Sequence, residues 1–280
     1  MASPGSAETS GATIAALLML QRFSLELSRN AEAALGPSST ADLDLQLLLA
    51  VHRSGGAGPS ELVELLGRPR SSVARALARL LDQGLTVRAT GRPDARRALL
   101  RLTAAGEGRV DRFVAATSRT FTSNEPKVAA LLLLFGRDPQ AAASRGAATT
   151  VLAAAERLAA AEAAFTEELV PAMEVFGLRQ ASDRAGLLVI RAHPKTRPTL
   201  LARQLGLSPA GVTSLVDRLV SRGTVVRERG VGADGRAVMV KSTPRGRRAA
   251  KACVAVFGKH EEWLLDALEL TLGHESPDAP

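Results

Sequence analysis

The sequence predicts a mainly α chain carrying two short β-hairpins, one in each copy of a duplicated unit. Three observations predict it. Ala and Leu dominate while aromatics make up only 3%, and Ala, Leu, Arg and Glu lose little on entering a helix. A stretch that begins at Pro59 is written again from Pro198. Within each copy, helical periodicity gives way to two short alternating runs around a turn-forming cluster, the pattern of a hairpin.

The duplication is read residue by residue. At an offset of 139, Leu62 meets Leu201, Val73 meets Val212, and Arg79 and Leu80 meet Arg218 and Leu219. Gly67, Gly84 and Arg88 likewise meet Gly206, Gly223 and Arg227. One extra residue near Gly230 moves the offset to 140. Beyond it Asp94, Arg96, Thr103 and Gly106 meet Asp234, Arg236, Thr243 and Gly246. A match at one long period means two copies of a domain, not a solenoid with repeats of about 20–50 residues.

The elements follow in order. Residues 1–11 are small and polar and read as a disordered tail. A helix is expected over 12–35, with Leu17, Leu20, Leu27 and Ala31 near one face, stopped by the Gly-Pro-Ser-Ser run at 36–39. Asp42 or Asp44 can cap the next helix, whose run through Arg53 is almost wholly apolar. A short helix over 60–66 ends at Gly67. Another over 70–83 turns Val73, Leu77, Leu80 and Leu81 inward and stops at Gly84. Strands at 86–90 and 97–102 flank the first hairpin tip, and Thr103 can cap a helix running to about Thr120. The second copy repeats this after a long Ala/Glu-rich helix at 151–176, with Ser208 as cap and Pro209 as first residue of the helix at 208–222. Strands at 225–229 and 237–242 flank the second tip, and a terminal helix runs from Thr243 and Pro244 towards Leu272. The domain expectation is a tail at 1–11, a first unit at 12–122, a connecting segment at 123–146, a second unit at 147–272 and a tail at 273–280.

Charge is segregated. The chain carries a net +8, but eleven arginines face five acids between Arg53 and Arg109, and fourteen Lys/Arg face three acids between Arg191 and Lys251. The remaining segments are therefore acidic. Basic charge concentrated in both copies of one module is the footprint of a polyanion partner. A single cysteine, Cys253, excludes an intrachain disulfide and fits a reducing compartment. With no basic stretch before the apolar run at 14–20 and no apolar run longer than 128–135, neither a secretory signal nor a membrane span is expected. The expected location is cytoplasmic and nucleoid-associated.

Three short helices and a hairpin make a winged helix-turn-helix, and the chain holds two in tandem, joined by a helical, dimerisation-like region. A helix held by one apolar face on a small core can put its other face into the major groove. In the first copy that outer face carries Arg70, Ser71, Ser72, Ala74 and Arg75, with Arg79 at its edge. In the second it carries Ser208, Pro209, Ala210, Gly211, Thr213, Ser214 and Asp217. Arg88, Arg92, Arg96 and Arg97 lie on the first hairpin, and Arg227, Arg229, Arg236 and Lys241 on the second.

At Val212–Arg227, at the Asp-Gly-Arg of 234–236 and at the Ser-Thr-Pro-Arg-Gly of 242–246, the chain resembles the multiple antibiotic resistance regulator (MarR) family of winged-helix transcription factors. The first copy matches at Ser72–Arg88, at the Asp-Ala-Arg of 94–96 and at Leu102–Gly106. The likeness covers roughly 42–112 and 181–251. It implies that Arg96 and Arg236 enter the minor groove from the wing tips, with Asp94 and Asp234 orienting them. It also implies that the long helices outside each block form a dimerisation domain, and that the function is transcription regulation, most often repression. Members of the family are usually single-copy chains acting as homodimers, so this chain departs from the pattern. The expectation is a monomeric pseudo-dimer, with pairing of two chains left open.

Other constellations carry less. Cys253 sits with Phe257 and Leu264 at helical spacing, which reads as packing rather than a sensing thiol. His52, His193, His260 and His274 show no metal spacing. His260 with Glu261 and Glu262 reads as a solvated face, as do Glu156, Glu162, Glu167, Glu168 and Glu174 along their helix. Trp263 reads as packing in preference to a ligand pocket. Phosphate loop, nucleophile elbow and dinucleotide fingerprint are all missing, so neither an enzyme nor a cofactor is expected. The expected partner is double-stranded DNA, with a small-molecule effector left open. The competing readings are a tandem winged-helix scaffold for proteins and a non-specific nucleoid-binding protein.

Overall fold

Proline, glycine and threonine punctuate the chain into elements whose order is the same in both copies. The structure is a computed structural model that describes residues 4–36, 41–90, 98–193, 196–229 and 238–275. Helix α1 (Pro4–Leu35) leads into α2 (Ala41–Ser54), α3 (Pro59–Leu66), α4 (Arg70–Asp82), β1 (Thr86–Thr90), β2 (Ala98–Leu102) and α5 (Ala104–Leu134). Then come α6 (Pro139–Ala147) and α7 (Val151–Glu174), followed by α8 (Ala181–Ala192), α9 (Pro198–Leu205), α10 (Pro209–Ser221), β3 (Val225–Arg229), β4 (Val238–Ser242) and α11 (Pro244–Glu269). Two compact units result. One is Leu25–Phe121; the other is Thr122–His274 with the part of α1 up to Ser24.

Each winged helix is assembled by the same devices. Gly67 and Gly206 end α3 and α9 at φ +58 and +63, a left-handed conformation that a side chain disfavours and that turns the chain towards the next helix. The hairpins are antiparallel in equivalent register, Arg88 opposite Leu100 and Arg227 opposite Val240. Leu100 and Val240 are buried, and each also bridges to the loop before the short helix, at Ala57 and Thr196. The Thr103 hydroxyl donates to the Gly84 carbonyl at 2.7 Å and accepts from the Gly106 N–H at 3.1 Å. Thr243 does the same with Gly223 and Gly246, at 2.7 and 3.1 Å. Gly106 and Gly246 are required by close approach. A Cβ there would lie 2.1 Å from the Leu85 carbonyl oxygen or 2.0 Å from that of Thr224.

Behind the elements lie apolar cores and one recurrent ion pair. Leu48, Leu62, Val73, Leu80 and Leu100 fill the first core, and Leu188, Leu201, Val212, Leu219 and Val240 the second. Asp183 on α8 is fully buried and its carboxylate accepts from Arg218 Nε of α10 at 2.9 Å and from Arg222 Nη1. At the equivalent place Asp44, one turn inside α2 and 6% exposed, accepts from Arg79 Nη2 at 2.6 Å and Nε at 3.3 Å. In the larger unit Phe165 and Met173 of α7 and Phe257 and Leu264 of α11 are buried. Glu269, 5% exposed, holds Arg137 at 2.9 Å and Arg145.

Several elements differ from the sequence expectation. Helix α1 begins at Pro4, not near Ala12; proline is tolerated in a first turn, where its missing N–H has no helical partner. Helix α5 does not stop near Thr120 but continues through Pro126 to Leu134. An interior proline costs about 3 kcal/mol, and the buried Val128, Leu131 and Leu132 beyond it offset that by apolar burial. Residues 123–146, read as a joint, form the end of α5 and most of α6. Ala76, not Leu81, completes the buried face of α4.

Asp183→Ala removes the acceptor and leaves two arginines facing the core. Breaking such a pair costs about 3 kcal/mol, the low end for buried pairs, since Arg218 and Arg222 remain 31% and 25% exposed. Denaturant unfolding followed by circular dichroism should show this loss, and a smaller one for Asp44→Ala.

Candidate nucleic-acid interface

The outer face of α4 is set by its inner one. Val73, Ala76, Leu77 and Leu80 are buried, and the remaining positions turn Arg70, Ser71, Ala74 and Arg75 to solvent, with Ser72 half-buried. Arg75 Nε donates to the Ser71 carbonyl at 3.3 Å, which lays the side chain along the helix surface. Among the described residues neither Arg70 nor Arg75 has an acidic partner. Arg79, placed at the edge of this face by the sequence, is taken by Asp44. On β1, Arg88 is exposed.

In α10 the buried positions are Val212, Leu215, Val216 and Leu219. Ser208, Pro209, Ala210, Thr213 and Ser214 are exposed and Gly211 is half-buried. Ser208 caps the helix by accepting from the Gly211 N–H at 3.1 Å. Thr213 donates to the Pro209 carbonyl at 3.0 Å, and the Ser214 hydroxyl accepts from Arg218 Nη1 at 3.0 Å. Arg227 on β3 donates from Nη2 to Asp217 Oδ1 at 2.6 Å, and Lys241 on β4 pairs with Glu228. These two ion pairs escaped the sequence reading, because partners ten or more residues apart meet only once helix and hairpin are packed. The backbone of Arg229 lies in β3. Arg92, Asp94, Arg96, Arg97, Asp234 and Arg236 lie outside the described residues.

One group was missed altogether. Arg197, Thr199, Leu200 and Arg203 at the start of α9 line an open depression of about 450 Å³. The equivalent first-copy residues are Gly58, Ser60, Glu61 and Glu64, so cationic surface is placed differently in the two copies. An offset comparison made for charge alone could have found it.

Elsewhere the structure sorts the titratable residues. Cys253 is 2% exposed, and burial pushes its thiol up to about 12 against a weaker opposing effect of Arg184. Glu162 is not on a wet face: it is half-buried, and that burial raises its pKa against a hydrogen bond with Ser24. Glu168 pairs with Lys259 at 2.8 Å, and His260 Nε2 lies 3.2 Å away, close but without hydrogen-bonding geometry. Among the described residues no cluster of His, Cys, Asp or Glu could hold a metal ion, and no helix is long and apolar enough to cross a membrane.

Helices α4 and α10, each followed by a hairpin and each pinned by an equivalent Asp–Arg pair, define a tandem winged helix-turn-helix. The MarR family model matches at residues 39–97 and again at 187–237, and each copy is a winged helix of the MarR type, the fold of a family of transcription regulators. Solved structures with similarity include a cysteine-to-serine mutant of MarR from E. coli, 26% identical, covering 38% of this chain and 78% of that one at a TM-score of 0.32. The same mutant complexed with operator DNA is 26% identical over 38% and 76% at a TM-score of 0.32. CouR from Rhodococcus jostii RHA1 bound to p-coumaroyl-CoA is 30% identical over 38% and 76%, also at 0.32. No curated protein matches the sequence.

The Cys253 thiol should be inert in the folded chain. At pH 8, excess N-ethylmaleimide should leave the native protein unmodified and label it stoichiometrically in denaturant; fast native labelling would contradict its burial. Its folded pKa of about 12 exceeds an unfolded value of about 8.5. The thiol therefore binds its proton more tightly when folded. Its contribution to stability is complete below about pH 8.5 and is lost as pH rises towards 12.

Proposed function

We propose that this chain is a DNA-binding transcriptional regulator, acting as a repressor, that reads duplex DNA with two recognition helices and two wings from one pseudo-dimeric chain. The observation that carries the reading is the outer face of α4, where Arg70 and Arg75 are exposed and have no acidic partner among the described residues. A guanidinium so placed can take guanine O6 and N7 together, a contact worth about 1–3 kcal/mol of discrimination. On α10, Pro209, Ala210 and Gly211 leave room for close approach of the backbone to phosphate. Arg96 and Arg236 at the tips are assigned to the minor groove, oriented by Asp94 and Asp234, as the MarR likeness implies. Repression follows if the occupied site overlaps a promoter.

The two reading faces differ. Arg70 and Arg75 stand where the second copy has Pro209 and Ser214. The target is therefore an asymmetric site, with a guanine-containing half under α4 and a looser half under α10. Basic hairpins in both copies favour this reading over a scaffold for proteins, which has no need of them.

Binding should be salt-sensitive. With roughly six to ten phosphate contacts, affinity falls by about 10³–10⁵ between 50 and 200 mM salt. A flat dependence, measured by fluorescence anisotropy on duplex DNA flanking the gene, would remove the regulator reading and favour the scaffold.

Arg75→Ala should relax base preference in one half of the site only, by about 1–3 kcal/mol at one base pair, with the melting temperature unchanged. Methylation interference with the chain's solution mass measured alongside checks it. A palindromic footprint with equal protection on both sides would mean that two chains each present one copy, which sinks the pseudo-dimer but spares DNA binding.

A further inference from the structure

The two copies superimpose element for element in sequence, so an acid present in one and absent from the other is informative. Arg88 and Arg227 occupy the same place: third residue of the first wing strand, opposite Leu100 in one hairpin and Val240 in the other. Both are exposed. Arg227 donates to Asp217 on the outer face of α10 at 2.6 Å, with side chains 40% and 56% exposed. The residue equivalent to Asp217 is Ala78 on α4, also exposed. Lys241 repeats the theme. It pairs with Glu228, whereas the equivalent residues in the first copy are Arg101 and Ala89. Two strand cations of the second wing, Arg227 and Lys241, are thus tied by acids that the first wing lacks.

We propose that Asp217 is a specificity-determining residue that restrains Arg227, so that the second winged helix grips the phosphate backbone less tightly than the first. The inference rests on the DNA-binding reading above. A phosphate reaching Arg227 competes with a carboxylate already bonded to its Nη2, and Asp217 stands beside the duplex as a negative charge that repels phosphate. Arg88 meets phosphate with no such competitor. Restraint in one wing, and not in both, keeps the sequence-poor face of α10 from dominating binding through charge alone, because phosphate contacts add affinity without sequence information. The site is then chosen by the arginines of α4.

The test is the cost of losing Arg227 with and without its partner. Affinity for a fixed duplex is measured by anisotropy for the full chain, Arg227→Ala, Asp217→Ala and the double variant, each with a thermal melt and a salt titration. Restraint requires the Arg227→Ala penalty to be roughly two- to five-fold larger when Asp217 is absent, the range for an exposed ion pair. The salt slope should also fall by about 0.9 more in that background, one further phosphate contact. Equal penalties would mean that the two charges act independently, and a larger penalty with Asp217 present would mean that it orients Arg227 for binding; either overturns the proposal. The reciprocal variant Ala78→Asp should install the restraint on Arg88, weakening binding and shrinking the Arg88→Ala penalty. A full-length chain that fails to bind any duplex would instead strike the DNA-binding reading itself, a result distinct from failure of the cycle.

Discussion

The ion pair between the first helix of each winged helix and its reading helix is the constraint on which the rest depends. Asp183 has no solvent to satisfy it, so α10 must sit where Arg218 and Arg222 can reach it. Asp44 and Arg79 impose the same demand on α2 and α4. The apolar stripe of each helix sets its rotation coarsely, and a buried carboxylate, satisfied only over a narrow angle, narrows it further. With that rotation fixed, the outer face of each reading helix follows, and so does the presentation of Arg70 and Arg75 or of Pro209 and Ser214. The pair is a registration device more than a source of stability, since desolvating charges offsets much of their attraction.

A second constraint ties each wing to the helix that follows it. Thr103 and Thr243 each cap a helix and at the same time bind the carbonyl of the glycine before the wing. Gly106 and Gly246 then let the helix backbone pass within touching distance of the wing's first residues. Any side chain at either position would push wing and helix apart. The threonine and glycine that made the two copies recognisable as sequence are therefore the residues that hold hairpin, reading helix and following helix at one fixed geometry.

Much of this was legible in the sequence because it rests on local rules. Glycines at 67 and 206, the Ser208 cap and the threonine caps act within a few residues, and periodicity gave the inward face of α4 almost completely and the outward face of α10. Helix ends were less legible: α1 starts at Pro4, where proline suits a first turn, and α5 crosses Pro126, where burial of Val128, Leu131 and Leu132 overrode a local breaker. The candidate interface was legible as a face but not as a charge state. Arg79, Arg227 and Lys241 read as cations available to DNA, yet each has an acid against it, brought there by packing over 35, 10 and 13 residues of chain. Glu162 misled for the same reason, since its half-buried place beside Ser24 comes from the packing of a distant helix.

The duplication gives these pairings their meaning. In a single-copy chain an exposed Asp–Arg pair would be an unremarked surface feature, worth little to stability. Here the same scaffold carries an internal control, since the first copy keeps the arginine and replaces the acid with alanine. Positions that hold the fold, such as Asp44 with Arg79 and Asp183 with Arg218, or Gly106 and Gly246, are the same in both copies. Several outward positions differ in charge: arginine against proline or serine on the outer face of α4 and α10, alanine against acid beside the wing, glutamate against leucine or arginine on the short helix before it. Identity at the pins keeps one scaffold in both copies, and divergence at the faces gives each copy a surface of its own.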